Sequence, residues 1–215
     1  MNKKFPYQLL EDPQKLASFH EWSEEVYRDF LAFQKGQLTE AAFNQKYLRR
    51  KAILCLDMTG FTQSAMNHGS LFSLLRIFDV QKVCAPVFQQ YNASRVRAFA
   101  DDFTVLFEDP QDALNSALEV HRRILSFNSS ELASKSPASC CIGIGYGDVY
   151  AIGPDMAMGD EMNRASKLGE DTAKAQETLI TEGLYAAVAG NKECLFERVE
   201  PGTLPFGYYK VTRRH

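Results

Sequence analysis

Hydrophobic positions along the chain fall into runs of two kinds, one with the period of a helix and one continuous or alternating like a strand. Residues 52–56 are uninterruptedly apolar, which predicts a buried strand, and the run ends on Asp57 followed by a turn containing Gly60. Two further β-like runs, 95–99 and 103–107, flank Asp101 and Asp102, the pattern of a hairpin with carboxylates at its tip. Upstream, Leu16, Phe19, Val26, Tyr27, Phe30 and Phe33 recur at helical spacing, predicting one helix capped by Asp12-Pro13 and closed at Lys35-Gly36. A second short helix is expected after Thr39, through Phe43 to Tyr47.

Downstream, 64–90 reads as a long helix with Leu71, Leu74, Ile77, Val80, Cys84 and Val87 in register, made irregular by Gly69 and Pro86. Asp109-Pro110 opens another helix bearing Leu114, Ala117, Leu118, His121, Ile124 and Leu125 on one face. His121 on that face is read as a packed residue rather than a ligand. After a polar loop over 128–137, residues 138–150 alternate Cys141, Ile142 and Ile144 with glycines and predict two strands around 145–148. A helix begins near Asp160. This order predicts an α+β fold, helices over an antiparallel sheet, with an N-terminal helical extension over 1–49 and one catalytic domain over 50–215.

Composition narrows the function classes. A chain of 215 residues that is 45% hydrophobic and 24% charged can bury a single core. A net charge of -3 gives no basic footprint for nucleic acid. The five cysteines, Cys55, Cys84, Cys140, Cys141 and Cys194, lack metal-ligand spacing and mostly sit in apolar runs, as reduced core thiols do. No apolar h-region follows Met1-Asn2-Lys3-Lys4 and no apolar run reaches 18 residues, so a soluble cytoplasmic chain with no membrane insertion is expected.

The chemistry concentrates in three stretches. An isolated Asp-x-x-Gly after a strand is ordinarily a helix cap. A second acid changes that reading, because two carboxylates brought within a few ångströms repel unless a cation sits between them, and oxygen-only ligands favour Mg²⁺ or Mn²⁺ held together with phosphates. In the third stretch, Asn163 and Lys167 lie four residues apart on one helix, so amide and ammonium project from one face.

Leu56-Asp57-Met58-Thr59-Gly60-Phe61-Thr62 resembles the first signature of the class III nucleotide cyclases, which include adenylate and guanylate cyclases. The Asp101 hairpin and Gly159-Asp160-x-x-Asn163-x-Ala165-Ser166-Lys167-Leu168 follow in that family's order. The resemblance implies an antiparallel-sheet sandwich with a ferredoxin-like, palm-type core. It implies that Asp57, Asp101 and the Met58 carbonyl bind two metal ions, Mg²⁺ or Mn²⁺, and that the Thr59, Gly60, Phe61 and Thr62 backbone holds a triphosphate. Asn163 would orient the ribose, and Lys167 stands where an arginine is customary. A homodimer with shared sites is implied, the aspartates coming from one protomer and the Asn163 helix from the other.

Departures concern the base. Arg97 replaces the usual base-reading lysine, Met156 falls where an aspartate or threonine is customary, and 201–210 lacks the expected phosphate-binding lysine before the last strand. A guanidinium donates hydrogen bonds and cannot accept them, so the pocket suits a smaller base presenting acceptors. The chain in this respect is similar to the pyrimidine cyclases of bacterial anti-phage signalling, which make cyclic CMP or cyclic UMP for a separate effector. A purine cyclase and a catalytically degenerate regulatory domain are the alternatives. The Gly-Gly-Asp-Glu-Phe hairpin of diguanylate cyclases is a poorer match, since its glycines are missing here.

Overall fold

The structure is a computed structural model that describes residues 7–19, 22–60, 66–67, 69–131, 137–153, 157–200 and 202–214. The first described helices are α1 (Pro13–Phe19), α2 (Glu24–Gln34) and α3 (Glu40–Tyr47), followed without a linker by β1 (Leu48–Met58). Then come α4 (Ser70–Gln90), β2 (Arg95–Phe99), β3 (Asp102–Phe107), α5 (Pro110–Asn128) and β4 (Cys140–Tyr150). The chain ends with α6 (Asp160–Asp171), β5 (Thr178–Thr181), α7 (Glu182–Val188), β6 (Cys194–Val199) and β7 (Tyr208–Arg213).

Local chemistry sets most helix starts. Asp12 accepts from the Gln14 and Lys15 amides at 3.0 and 3.1 Å, and Asp109 accepts from Gln111 at 2.8 Å with Pro110 behind it. Ser23 and Thr39 cap α2 and α3 in the same way. The Ser23 cap is where the structure departs from the single N-terminal helix expected from periodicity: a new helix starts at Glu24, because a capping hydroxyl that satisfies the Val26 amide outweighs a continuous apolar stripe.

The strands form one seven-stranded sheet among the described residues, ordered β2-β3-β1-β4-β5-β7-β6, antiparallel except for the β4–β5 pair. Alternation along β1 divides the core in two. Ala52, Leu54, Leu56 and Met58 point into a large cluster filled by Val80, Cys84 and Phe88 of α4, Leu114 and Val120 of α5 and Leu184 of α7. Ile53 and Cys55 point the other way, under α6, with Leu106, Val149 and Ala165. Helices thus cover both faces of a mainly antiparallel sheet, as the sandwich expectation requires.

β4 runs unbroken from Cys140 to Tyr150, where two strands were expected. Its glycines do not turn the chain; they admit α6. A Cβ on Gly143 would lie 2.1 Å from the Ala165 carbonyl oxygen and 2.3 Å from the Gly169 nitrogen, and one on Gly169 would lie 2.5 Å from the Cys55 carbonyl oxygen. Helix and sheet backbones therefore touch, and only glycine fits there. The helix α4 also differs from its apolar pattern. Val80, Cys84 and Val87 are buried, but Leu71 and Leu74 are 72% and 60% exposed while Ser73, Arg76 and Asp79 are buried.

The N-terminal helices pack on the far end of the sheet. Val26, Phe43 and Tyr47 cluster with Ile152, and the Ala151 amide donates to the Tyr47 carbonyl at 2.9 Å. No helix among the described residues is long and apolar enough to cross a membrane.

Candidate functional site

The end of β1 is where the acids meet. Register pairs Asp57 with Asp102 of β3 on one side and with Cys141 of β4 on the other, and pairs Phe99 of β2 with Asp102. Residues directly opposite in a sheet share a face, so Phe99, Asp102, Asp57 and Cys141 form one row on the side covered by α6. Arg97, opposite Thr104, which on its other side faces Cys55, lies on the same face one row further in, its guanidinium 5.7 Å from the Phe99 ring centre. Asp101 occupies the hairpin turn after Ala100, which takes a positive φ of 51°.

The resemblance implies Asp57 and Asp101 as the metal-binding acids, with Asp102 next to Asp101 in the hairpin. The structure puts Asp102 directly across from Asp57. The turn decides this, since one residue more or less in the hairpin exchanges which acid faces the row. Burial, then Asp102, then Asp101 and Glu170 push the Asp57 carboxyl well above the usual carboxylate range. Burial raises Asp101 too, with Asp102 adding to it. Asp57 also meets the Cys141 thiol, whose sulfur lies 3.8 Å from Oδ2; burial and Asp57 hold that thiol up at about 12, so it stays protonated. All five cysteines are free and buried, as expected.

Carboxylates set this close together with no cationic side chain paired to them repel unless a cation lies between them, so the donor set fits a divalent cation. Oxygen ligands only, two or three carboxylates and the Met58 backbone suit Mg²⁺ or Mn²⁺ with remaining positions taken by water and phosphate. The Met58 side chain is buried in the opposite core, leaving its carbonyl as the group it can offer. Among the described residues no group of three or more His, Cys, Asp or Glu side chains is placed to hold a metal ion by itself, so backbone, water and phosphate oxygens would have to complete the set.

Beyond Met58 the Thr59 amide donates to the Ser139 carbonyl at 3.0 Å, so this first backbone donor is already engaged. Gly60 follows with φ 70° and open space around its α-carbon. Phe61 and Thr62 lie outside the described residues, as does Met156. Sequence reasoning missed the brace behind this loop: Arg76, buried in α4, donates to the Pro137 carbonyl at 3.0 Å, two residues before Ser139. Only its placement in the fold shows this.

On α6, Asn163 and Lys167 share a face and line one cavity of about 470 Å³ with Asp160, Arg164, Leu204, Pro205 and Phe206. Arg164 is the other residue missed; its guanidinium sits 5.5 Å from the Phe206 ring centre, beside Lys167 in that cavity. The i, i+4 spacing that singled out Asn163 and Lys167 also includes Asp160 and Arg164. Lys167 Nζ is paired with Asp171 at 2.7 Å, but an exposed helix pair of this kind is worth only about 0.3–0.5 kcal/mol and yields readily to a phosphate. None of Asp57, Asp101 or Asp102 lines this cavity.

Glu161, one turn earlier, anchors the helix: buried, it accepts from the Tyr146 amide at 2.8 Å and from the Thr181 hydroxyl. His121 is packed as expected, with Nε2 3.0 Å from the Thr178 hydroxyl, and burial drives it down to about 4. Lys210, in β7, is paired with Glu177 at 2.6 Å.

This architecture is that of class III adenylyl and guanylyl cyclase catalytic domains. The catalytic core of a rhodopsin-guanylyl cyclase with converted specificity, in complex with ATPαS, superposes with a TM-score of 0.68 at 17% identity, covering 78% of this chain and 99% of that one. The guanylate cyclase domain of RhGC from Catenaria anguillulae, in complex with GTP, gives 0.66 at 18% identity over 77% and 97%. The adenylyl cyclase CyaB from P. aeruginosa gives 0.65 at 17% identity over 78% and 96%. No family model matches the sequence. No curated protein matches it at the level of sequence.

Proposed function

We propose that the chain is a nucleotide cyclase, converting a nucleoside triphosphate to a 3′,5′-cyclic nucleotide and pyrophosphate, and that it prefers a pyrimidine. The observation that carries the reading is the row at the end of β1, where Asp57 stands directly opposite Asp102 with Asp101 adjacent in the hairpin turn, in a cyclase fold. Asp57, the hairpin acids and the Met58 carbonyl would hold two Mg²⁺ or Mn²⁺ per site; bound there, the metal supplies a lowered pKa for the attacking hydroxyl and neutralises charge on the leaving oxygens.

The protein's own part is positioning and charge. The ribose 3′-oxygen attacks the α-phosphorus in line with the departing pyrophosphate. Asn163 orients the ribose, and Lys167, with Arg164 beside it, meets the negative charge that grows as that bond breaks. The cavity holding Asn163 and Lys167 contains none of the acids, which supports a homodimer whose protomers each complete the other's site. Arg97, on the same face as the acids, would donate to the O2 and N3 of cytosine or the O2 and O4 of uracil. The product would be a second messenger in anti-phage defence, read by a separate cyclic-nucleotide effector. A regulatory, non-catalytic role is the second reading, favoured by Lys167 standing where an arginine is customary and by the missing phosphate-binding lysine before the last strand.

Comparing ATP, GTP, CTP and UTP at equal concentration with Mn²⁺ tests this. CTP or UTP is expected to turn over best, with Arg97→Ala cutting that rate by about ten- to a hundredfold, since a lost partner strands a buried polar group. A clear preference for ATP or GTP would sink the pyrimidine assignment alone. Turnover of none of the four would favour the regulatory reading.

A further inference from the structure

At the opposite end of β1 from the acids, the N-terminal helices and the end of β4 enclose a cavity of about 350 Å³. Nine residues of strand separate Leu48 from Asp57, so the two places lie roughly 30 Å apart at about 3.3 Å per residue. Rings from Trp22, Phe30, Phe33, Phe43 and Tyr150 make most of its wall. These rings hold one another in place: Trp22 and Phe30 are stacked with centroids 5.4 Å apart, and Phe43 lies 4.9 Å from Phe30 and 5.9 Å from Tyr150. A volume of this size falls in the range of small-molecule sites and is about tenfold that of one water, which apolar walls would hold poorly.

The charges in the wall select the ligand. Glu40 lines the cavity from the first turn of α3, no lysine or arginine lines it, and Glu40 makes no ion pair among the described residues. Asn44 cannot play the same part, because its Oδ1 already accepts from the Tyr150 hydroxyl at 2.7 Å. Aromatic faces and a carboxylate around an apolar space attract a cation with apolar substituents, the logic by which rings bind quaternary ammonium groups. We propose that this cavity is a binding site for a small ligand bearing an alkylated ammonium group on an apolar body.

Such a ligand would press on a structural joint. Met158 also lines the cavity, and its backbone is bridged to Tyr150 in both directions, at 2.8 and 3.0 Å. Gly159 and the start of α6 follow at once, and Arg95 of β2 donates to the Gly153 carbonyl inside the same excursion. Occupancy of the cavity therefore bears on the segment from which the Asn163 helix departs. The binding site itself stands independently of what the α6 face does.

The chain has a single tryptophan, Trp22, so its fluorescence reports on this cavity alone. Benzyltrimethylammonium titrated into the full chain is expected to change that fluorescence saturably, binding about 3- to 30-fold tighter than its neutral carbon isostere, neopentylbenzene. Glu40→Gln should weaken the cation by roughly three- to tenfold and leave the isostere unchanged, while Phe33→Ala should weaken both. Amide exchange at Tyr150 and Met158 should slow on binding. Equal affinity for cation and isostere, or an unaltered cation affinity in Glu40→Gln, would overturn the proposed ligand class. No saturable response to either compound, or a Trp22 signal that changes with protein concentration alone and so marks a second copy as the occupant, would overturn the site.

Discussion

Replacing Gly143 by alanine should unseat α6. The added Cβ would meet the Ala165 oxygen at 2.1 Å and the Gly169 nitrogen at 2.3 Å, against the 3.4 Å at which ordinary contact begins, so the helix must rise by 1.1 to 1.3 Å. Both obstructing atoms are backbone, and no rotamer change relieves them. The cost of such overpacking is about 1–3 kcal/mol, which for a chain of this length lowers Tm by about 2–12 °C. A displacement of about 1 Å in groups that position a substrate can also cost up to a hundredfold in rate. Thermal unfolding by circular dichroism measures the first effect. Gly190→Ala, where a Cβ would meet nothing within 4 Å, serves as the control and should change Tm little. Gly169→Ala strains the same contact, so the double variant should lose less than the sum of the singles. A Gly143→Ala protein melting within a degree or so of wild type would refute the close seating of α6 on β1 and β4.

Asp57→Asn should lower turnover by orders of magnitude while the fold survives, and mixing it with inactive Asn163→Ala should restore activity through one intact site per heterodimer; heterodimers that form without recovering activity would exclude shared sites. Lys167→Ala should depress kcat more than it raises KM, since the charge it meets grows only as pyrophosphate leaves; steady-state kinetics showing a pure KM effect would reassign it to ground-state binding. His121 is depressed to about 4 from its ordinary 6.5, so between those values the unfolded chain holds a proton that the folded chain does not. Stability from this group is complete above pH 6.5 and is lost as pH falls toward 4, by about 2–3 kcal/mol. Unfolding midpoints of wild type and His121→Asn across that window should diverge accordingly, and parallel curves would contradict the assignment.

The β2–β3 hairpin, the Asp109-Pro110 helix start and the Asn163 helix were legible because each is announced by neighbours in sequence: a tip of polar residues, a cap with proline, a spacing of four. What was missed depends on partners remote in sequence. Gly145 and Gly147 look like a turn until Glu161 of α6 is laid across them. Which hairpin acid stands directly opposite Asp57 depends on the length of one turn, which alternation alone cannot supply. Leu71 and Leu74 of α4 keep helical spacing but lie on the outer side, while Arg76 turns inward to the Pro137 carbonyl, a partner 61 residues away. The aromatic cavity draws its walls from α2, α3, β4 and Met158, segments that no local pattern joins.

The central claim is that the acid row and the α6 face together cyclise a nucleotide. Phosphorus NMR of the purified full chain with diamagnetic Mg²⁺ and its best triphosphate follows both products at once. The account predicts a 3′,5′-cyclic monophosphate and pyrophosphate in equal amounts, with both signals abolished in Asp57→Asn. Wild-type protein that yields no cyclic product from any of the four triphosphates, or an Asp57→Asn protein that yields it at the same rate, would contradict it.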